Sequence, residues 1–288
     1  MATVYLNGEI LPVGEARVSA LDAGLLLGAG IFETLRAYGG FVFRLEDHLA
    51  RLLNSAQALD IPLQESRAEL AAALERLIEE NGLGDARCRI TVTRGPLATE
   101  PGAAAPRPTC LVTAGEMTPY PPELYERGMT VTVSEVRVNE KDPLANHKTT
   151  SFMTNLLVLR DAHSRGAQEA LRFNGPGRLA EGALSNVFVV KGGRLVTPPL
   201  AEGCLPGITR KVVLELARAE GLEAVEETIP ADQVLAVDEM FLTNTIMEVM
   251  PVCRVERHAL GDDTPGPLTR RLAALYKELV EKERRAAD

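Results

Sequence analysis

Residues 179–188 read Leu-Ala-Glu-Gly-Ala-Leu-Ser-Asn-Val-Phe. The apolar run Asn186–Lys191 predicts a buried strand. Gly182 favours a turn shortly before that strand, and this turn carries the carboxylate of Glu181. A Gly-Gly pair after the strand predicts a tight connection to a second strand, Arg194–Thr197. These residues therefore predict neighbouring strands of one sheet, with a single acidic side chain in the turn that precedes them.

The rest of the second half alternates strands with helices, which is typical of a sheet covered by helices. Apolar residues at three- and four-residue spacing predict the helices, and alternating or continuous apolar runs predict the strands. The predicted helices are Ser151–Arg165, Ile208–Glu220 and Leu268–Arg284, and the further strands are Met129–Val138, Ala170–Asn174 and Met240–Thr243. This half is predicted to be a mixed, many-stranded sheet.

The first half has hairpins before helices. Asn7-Gly8 supplies the positive φ angles of a type I′ turn, so Val4–Leu11 is predicted to be a hairpin. Gly39-Gly40 predicts a second hairpin in the same way. The remaining predicted elements are a strand Ile31–Tyr38 paired with Phe41–Phe43, helices Arg44–Asp60 and Arg67–Asn81, and strands Cys88–Thr93 and Thr109–Thr113.

The chain is predicted to contain two domains of the α+β class. A small N-terminal α+β domain spans residues 1–118. Residues 119–128 contain three prolines and no periodic apolar face, which indicates a linker. A larger domain with the mixed sheet spans residues 129–288.

Composition excludes several classes of protein. The 288 residues are 45% hydrophobic and carry a net charge of −9, which argues against disorder and against a dedicated nucleic-acid-binding protein. The four cysteines are widely spaced, so neither a zinc ribbon nor a disulfide scaffold is expected. No apolar run is long enough for a membrane span, and the N-terminus lacks a signal-peptide pattern. We therefore expect a soluble protein in a reducing, cytoplasmic setting, without a metal site, a nucleic-acid partner or a membrane partner.

General catalytic motifs are absent from the sequence. It contains no phosphate-binding P-loop, no GxSxG and no HExxH. Gly24, Gly28 and Gly30 cluster, but no predicted helix follows them as in a dinucleotide-binding site, so we interpret them as turn residues. Only six lysines occur, and none precedes Lys141. Few side chains could therefore supply a reactive amine.

Five segments taken together are more informative than any one of them. In order, they are Asp47–Leu52, Asn146–Thr150, Leu179–Phe188, Leu205–Arg210 and Leu242–Val252. Their sequence, order and spacing resemble class IV enzymes that depend on pyridoxal 5′-phosphate (PLP). That family includes branched-chain and D-amino-acid aminotransferases and aminodeoxychorismate lyase. The resemblance runs from the first hairpin to Val252 and implies fold type IV, in which the larger domain is a mixed-sheet pseudo-barrel.

The resemblance implies that Lys148 forms the Schiff base with PLP and that Glu181 binds the pyridine nitrogen. Burial or nearby positive charge makes a lysine amine nucleophilic at neutral pH. A carboxylate beside the ring nitrogen keeps that nitrogen protonated, which makes the ring a better electron sink. By residue type alone, Lys148 could equally be a surface lysine that precedes a helix, and Lys141 is its one nearby competitor.

The same resemblance implies a phosphate site. Ile208 and Thr209 begin a predicted helix, where backbone N–H groups lack internal acceptors and attract anions. Thr245 resembles a second threonine anchor, and Arg51 resembles the arginine that pairs with phosphate through its planar fork. Thr209 could instead be an ordinary helix cap, and Arg51 could lie on a solvated helix face.

Substrate residues are expected on the strand that contains Phe32, Thr34 and Arg36, because alternate residues share one face. Arg94, or alternatively Arg89, could bind a substrate carboxylate. The loop 93–102 lacks the Arg-x-His of D-amino-acid aminotransferases and the Arg-Gly-Tyr of well-known lyases. Met153 stands where branched-chain enzymes carry a tyrosine.

We therefore predict an amino-acid aminotransferase with ping-pong kinetics, which transfers an amino group from an amino acid to a 2-oxo acid. The alternative is an aminodeoxychorismate lyase that releases pyruvate and 4-aminobenzoate, as Thr34 suggests. The resemblance also implies a homodimer, with an active site between the two domains that a loop of the second subunit completes.

Overall fold

The structure is a computed structural model that describes residues 2–97 and 107–287. The chain divides into two compact units. Unit 1 comprises Met1–Thr118 together with His147–Ser151 and Arg284–Asp288, and unit 2 comprises Pro119–Asn146 and Phe152–Glu283. The short segment 147–151 is thus separated in sequence from the rest of unit 1, and it contains Lys148.

Unit 1 is a sheet covered by two helices. Its elements are β1 (Thr3–Leu6), β2 (Glu9–Pro12), α1 (Ala23–Leu27), β3 (Gly30–Tyr38), β4 (Phe41–Val42), α2 (Leu45–Ala58), α3 (Arg67–Glu80), β5 (Ala86–Thr93) and β6 (Cys110–Glu116). The six strands are antiparallel in the order β2-β1-β6-β5-β3-β4. Both predicted hairpins and both long helices are confirmed.

Local sequence explains these elements of unit 1. Asn7 and Gly8 both have positive φ, as a type I′ turn requires. Ser66 and Glu69 form a reciprocal capping box that starts α3. The apolar faces of α2 and α3 supply the core together with the inward face of β3 and β5; its fully buried members include Leu35, Leu49, Leu52, Leu70, Leu74, Leu77 and Ile90.

Unit 2 is a curled mixed sheet with helices. Its elements are α4 (Pro122–Arg127), β7 (Met129–Val133), α5 (Met153–Ser164), β8 (Glu169–Phe173), β9 (Leu179–Gly182), β10 (Asn186–Lys191), β11 (Arg194–Thr197), α6 (Ile208–Ala219), β12 (Ala224–Glu226), β13 (Glu239–Asn244), β14 (Glu248–Val255), β15 (His258–Ala259) and α7 (Pro267–Ala287). The order is β12-β11-β10-β13-β14-β7-β8-β9, and β15 pairs with β14. The pairs β14–β7, β7–β8 and β11–β12 are parallel. The predicted α+β class with a mixed sheet is confirmed.

Several elements differ from the sequence-based expectation. Strand β14 is not predicted because Pro251 lies within it. Its pairing with β7 begins only at Val252, so the ladder on that side requires no donor from Pro251. The strand predicted to reach Val138 ends at Val133, since the Ser134 hydroxyl accepts the Val136 N–H and bends the chain.

Five further short elements are absent from the sequence-based assignment: α1, α4, β9, β12 and β15. Helix α1 ends at Gly28, whose φ of 68° forms the left-handed cap, and its five residues are too few to show a period. Helix α4 begins at Pro122, inside the segment interpreted as a linker, because proline suits the first helical turn. Strand β9 includes Glu181, which the sequence places in a turn. Among the described residues, no helix is long and apolar enough to cross a membrane.

Candidate active site

Segment 147–151 lies against strand β3 through backbone hydrogen bonds. The Phe32 N–H donates to the Lys148 carbonyl oxygen at 2.8 Å, and the Thr150 N–H donates to the Gly30 carbonyl oxygen at 2.8 Å. The Lys148 Nζ atom lies 4.4 Å from the centroid of the Phe32 ring. Lys148 is partly buried, whereas Lys141 is exposed. The fold therefore holds Lys148, and not its competitor, against a strand.

The glycines that precede β3 allow this close approach. A Cβ atom on Gly28 would lie 2.6 Å from the Ser151 hydroxyl, and one on Gly30 would lie 3.0 Å from the Thr150 hydroxyl. The Thr150 hydroxyl donates to the Gly28 carbonyl oxygen at 2.9 Å. The prediction that these glycines are turn residues is correct only for Gly28, which caps α1, because Gly24 lies within α1 and Gly30 begins β3. Gly28 and Gly30 also make room for the lysine segment.

Arg51 forms a bidentate ion pair with Glu33. Its Nε donates to one carboxylate oxygen at 2.7 Å, and its Nη2 donates to the other at 2.6 Å. The Nδ1 atom of His48 lies 2.8 Å from the same carboxylate. All three groups are buried or nearly so, and Glu33 is only 1% exposed. Arg51 therefore does not lie on a solvated helix face.

The surroundings of Glu33 fix its charge. Burial alone raises its pKa, but the Arg51 guanidinium and the hydrogen bonds from His48 and Arg51 outweigh burial and lower the pKa to about 2. Burial lowers the pKa of His48, while the Glu33 carboxylate partly offsets that effect. The carboxylate accepts but cannot donate, so we assign the proton to Nδ1 of His48.

The outward face of β3 carries the predicted substrate residues. Phe32 is buried, and Thr34 and Arg36 are partly buried. The guanidinium carbon of Arg89 lies 3.7 Å from the centroid of the Phe32 ring, and its Nε donates to the Thr91 hydroxyl at 2.9 Å. Burial lowers the pKa of Arg89, as does the neighbouring Arg87. The Arg89 guanidinium thus lies over the ring that is also close to the lysine amine.

Arg94, the other candidate for a substrate carboxylate, is half-exposed. Its Nη2 lies 3.3 Å from a carboxylate oxygen of Asp60. Arg36 instead lies over Tyr38, 4.4 Å from the ring centroid. Residues 98–106, which include half of the loop 93–102, lie outside the described residues.

In unit 2, Glu181 lies near the end of β9. One oxygen accepts the Leu205 N–H at 2.9 Å, and the other lies 4.0 Å from Nη1 of Arg172 on the neighbouring strand β8. The side chain is 15% exposed, so the carboxylate is largely shielded but can be reached. It has the chemistry needed to accept a proton donor from a bound ring.

The loop that precedes α6 is held by amide side chains. Asn186 donates to the Leu205 carbonyl oxygen at 2.8 Å, and Asn146 donates to the carbonyl oxygens of Leu200 and Cys204. A Cβ atom on Gly207 would lie 1.9 Å from the Asn186 side-chain oxygen, so only glycine fits there. The loop is thereby fixed up to the first residue of the helix.

The N-terminus of α6 has no side-chain cap at Gly207. The N–H of Lys211 is the donor that reaches the Gly207 carbonyl oxygen, so the N–H groups of residues 208–210 have no acceptor within the helix. Ile208 and Thr209 are both buried. A phosphate group fits such a helix start, because the N–H dipoles favour an anion.

Thr245 lies in the turn between β13 and β14. The Asn244 side-chain oxygen accepts the N–H groups of Ile246 and Met247 at 2.9 and 2.8 Å, and its amide donates to the Leu184 carbonyl oxygen. One asparagine therefore fixes the turn that carries the partly buried Thr245 and links it to the segment between β9 and β10.

Each unit carries groups that suit one part of a cofactor with an aldehyde, a basic ring nitrogen and a phosphate. An amine and an arginine lie in unit 1, and a shielded carboxylate, uncapped helix N–H groups and two threonines lie in unit 2. The part of the chain that the structure describes holds no cluster of three or more metal-ligating side chains. The residue set thus suits an organic phosphate cofactor.

Sequence reasoning missed Glu33, His48, Arg172 and Asn146. The sequence gives one signal for Glu33: its neighbours Ile31 and Leu35 share its face of a strand, and a carboxylate on a core face requires a partner. His48 and Arg51 are three residues apart on one helix, so they share a face. Arg172 and Asn146 carry no comparable signal.

Comparison with known proteins gives a consistent result. The model of the family described as amino-transferase class IV matches residues 30–255. A D-alanine aminotransferase of Bacillus licheniformis is 32% identical over 97% of this chain and 98% of that protein. An aminodeoxychorismate lyase of Bacillus subtilis is 30% identical over 96% of this chain and 94% of that protein.

Solved structures are similar to this protein in fold. A branched-chain amino acid aminotransferase from T.th., solved with pyridoxamine 5′-phosphate, superimposes with a TM-score of 0.90 at 30% identity. The match covers 97% of this chain and 94% of that chain. It confirms the fold that the sequence resemblance implies.

The pKa of Glu33 leads to a prediction about acid stability. A carboxyl group with a lowered pKa stabilises the folded state above its ordinary value of 4.5, and this stabilisation is lost as the pH falls towards about 2. We expect the difference in unfolding free energy between wild type and Glu33→Gln to shrink by about 2 kcal/mol from about pH 7 to about pH 3. Urea unfolding of the full chain measures it. Glu75→Gln, at an exposed position on α3, should show no such pH dependence; equal behaviour of the two variants would contradict the assignment.

Proposed function

Because the chain belongs to the class IV aminotransferase family, we propose that it is a PLP-dependent amino-acid aminotransferase. It transfers an amino group between an amino acid and a 2-oxo acid in a ping-pong reaction. The observation that carries this proposal is the placement of Lys148, held by backbone hydrogen bonds to β3 with its amine 4.4 Å from the Phe32 ring. That family consists of enzymes, and its branched-chain members include the solved structure described above.

We propose six residues that would hold the cofactor. Lys148 and Arg51 of unit 1 provide the amine and a phosphate contact. In unit 2, Glu181 receives the ring nitrogen, and Ile208, Thr209 and Thr245 receive the phosphate. When bound, PLP supplies an aldehyde carbon that takes up an amino group and a ring that stores the electron pair left on the substrate α-carbon.

The side chains of this protein then have defined tasks. The Lys148 amine would hold the cofactor through its aldehyde carbon, and the same amine would take the proton from the substrate α-carbon. The Glu181 carboxylate would accept the hydrogen of the protonated ring nitrogen, and Nη1 of Arg172 lies 4.0 Å from that carboxylate. The N–H groups at the start of α6 would hold the phosphate.

A substitution of Lys148 tests the covalent site. Lys148→Ala should abolish transamination and should prevent borohydride from fixing the cofactor to the protein, because Lys148 is the lysine that the fold holds against β3. Mass spectrometry of peptides locates the adduct. Lys141→Ala, at an exposed lysine seven residues away, should leave both results as in wild type. An adduct on any residue other than Lys148 would contradict the proposal.

Arg89 is the better candidate for binding a substrate carboxylate. It lies against Phe32 beside the amine, and no ion pair engages it among the described residues, whereas Arg94 is half-exposed and pairs with Asp60. The Nη atoms of Arg89 remain for a carboxylate, because only Nε donates to Thr91.

Paired variants distinguish the two arginines. Arg89→Gln should raise the KM for an acidic amino acid roughly 10- to 100-fold, since a charged hydrogen bond is lost. Arg94→Gln should change it less than about threefold, as for an exposed ion pair. Steady-state kinetics with L-glutamate measure both. The reverse order would assign the carboxylate to Arg94, as the sequence analysis suggests.

The alternative function is that of an aminodeoxychorismate lyase. Two observations favour it: the similarity to the lyase of Bacillus subtilis, and Thr34 on the same face of β3 as Phe32. L-Glutamate, a branched-chain amino acid and D-alanine, added in turn, should each be tested for loss of the cofactor's near-visible absorption. We expect at least one amino acid to bleach it and to yield a 2-oxo acid. If none reacts while aminodeoxychorismate yields pyruvate and 4-aminobenzoate, the lyase is the correct assignment.

We also propose a homodimer, located in the cytoplasm. Helix α1 of unit 1 exposes Leu25, Leu26 and Leu27, at 71%, 50% and 67%. Helix α5 of unit 2 exposes Met153, at 66%, together with Leu156 and Leu157. Monomers rarely expose such apolar surface, so a second copy of the chain is the expected partner. A monomer in sedimentation at micromolar concentration would contradict the homodimer. The cytoplasmic location is supported by the four cysteines, which are free and buried and therefore suit a reducing compartment.

A further inference from the structure

Glu33 occupies a position that the fold itself assigns to an apolar residue. Its neighbours on the same face of β3, Ile31 and Leu35, are 1% and 0% exposed and belong to the core of unit 1. Glu33 is buried to the same degree. A buried carboxylate costs free energy unless ion pairs and hydrogen bonds compensate it.

The compensation comes from a polar stripe on α2. His48, Arg51 and Ser55 follow one another at spacings of three and four residues, so they share a face of the helix. His48 and Arg51 contact the Glu33 carboxylate, and the Ser55 hydroxyl lies 2.9 Å from Nδ1 of His147. The stripe therefore contacts both β3 and the residue that precedes Lys148.

Stability alone does not explain this arrangement. Replacing a buried ion pair by apolar side chains is often neutral or stabilising, so the core of unit 1 could be equally stable without the Glu33–Arg51 pair. The geometry of the pair is its distinctive property. Two parallel hydrogen bonds hold the planar guanidinium in one orientation, which a single contact would not do.

We propose that Glu33 is a positioning residue that orients Arg51 for the phosphate of the cofactor. This inference rests on the proposed function. Glu33 holds the Nε–Nη2 edge of Arg51 and thereby sets the direction in which the rest of the guanidinium faces. An arginine side chain loses much rotamer freedom when it binds an anion. Since Glu33 already fixes the guanidinium in the folded protein, that entropy is not lost again when the cofactor binds.

The test compares two ligands of the full-length apo-enzyme: PLP and pyridoxal, which lacks the phosphate. Absorbance titration gives the dissociation constant of each, and their ratio measures the phosphate contribution. Glu33→Gln should lower this preference for PLP roughly 10- to 100-fold, since one charged hydrogen-bonded contact loses its orientation. Its affinity for pyridoxal should stay within about threefold of wild type.

Glu239→Gln is the matched control. Glu239 is also a buried carboxylate, and it accepts the N–H groups of Leu268 and Thr269 at the start of α7. Its loss should lower the melting temperature without changing the preference for PLP. An equal fall of the preference in both variants would show a general structural effect and would overturn the proposal.

A double-mutant cycle with Arg51→Gln identifies the route of the effect. If Glu33 acts through Arg51, adding Glu33→Gln to Arg51→Gln should cause no further fall in the preference for PLP. Independent, additive losses would overturn the proposal. Should Glu33→Gln fail to fold, Glu33→Asp decides, because it keeps the charge but withdraws the carboxylate by one methylene group. A wild-type preference in Glu33→Asp would then overturn it.

The outcomes separate this inference from the proposed function. If the wild type binds PLP no more tightly than pyridoxal, or binds neither, the phosphate site itself is wrong. If the wild type prefers PLP and Glu33→Gln keeps that preference in full, only the positioning role of Glu33 is wrong.

Discussion

The hydrogen bonds between β3 and segment 147–151 are the constraint on which the candidate site depends. They attach a segment from the middle of the chain to the sheet of unit 1, so that Lys148 lies beside Phe32. The opposite face of the same strand belongs to the core, where Glu33 holds Arg51. Because successive side chains of a strand point to opposite faces, β3 carries Phe32, which lies beside the Lys148 amine, on one face and Glu33, which binds Arg51, on the other.

Unit 2 uses side chains to fix irregular backbone. The loop before α6 forms no regular ladder, yet Asn146, Asn186 and Glu181 bind its backbone groups. Glu181 thus has two tasks in the proposed function: one oxygen holds the loop that leads to the phosphate site, and the carboxylate also receives the ring nitrogen. A change at Glu181 would therefore act on the phosphate end of the cofactor as well as on the ring.

The sequence predicts those parts of the fold that local chemistry specifies. The Asn7-Gly8 turn and the periodic helices α2 and α3 follow from residues close in the chain. Strand β14 is missed because its pairing partners compensate for Pro251, which no local pattern reveals. The candidate site shows the same difference between local and long-range information. The order of the motifs identifies Lys148, Glu181 and Arg51, whereas the contact of Glu33 with Arg51 depends on the packing of β3 against α2. Long-range packing is what the sequence pattern alone does not contain.

The contact between Arg89 and Phe32 bears on the choice between transaminase and lyase. A ping-pong transaminase binds two different amino acids in turn, so one site has to accept both a carboxylate and an apolar side chain. A guanidinium whose central carbon lies 3.7 Å from the centroid of an aromatic ring places its donors beside the apolar surface of that ring. This pairing therefore supports the proposed transaminase reaction, in which the site receives both kinds of amino acid.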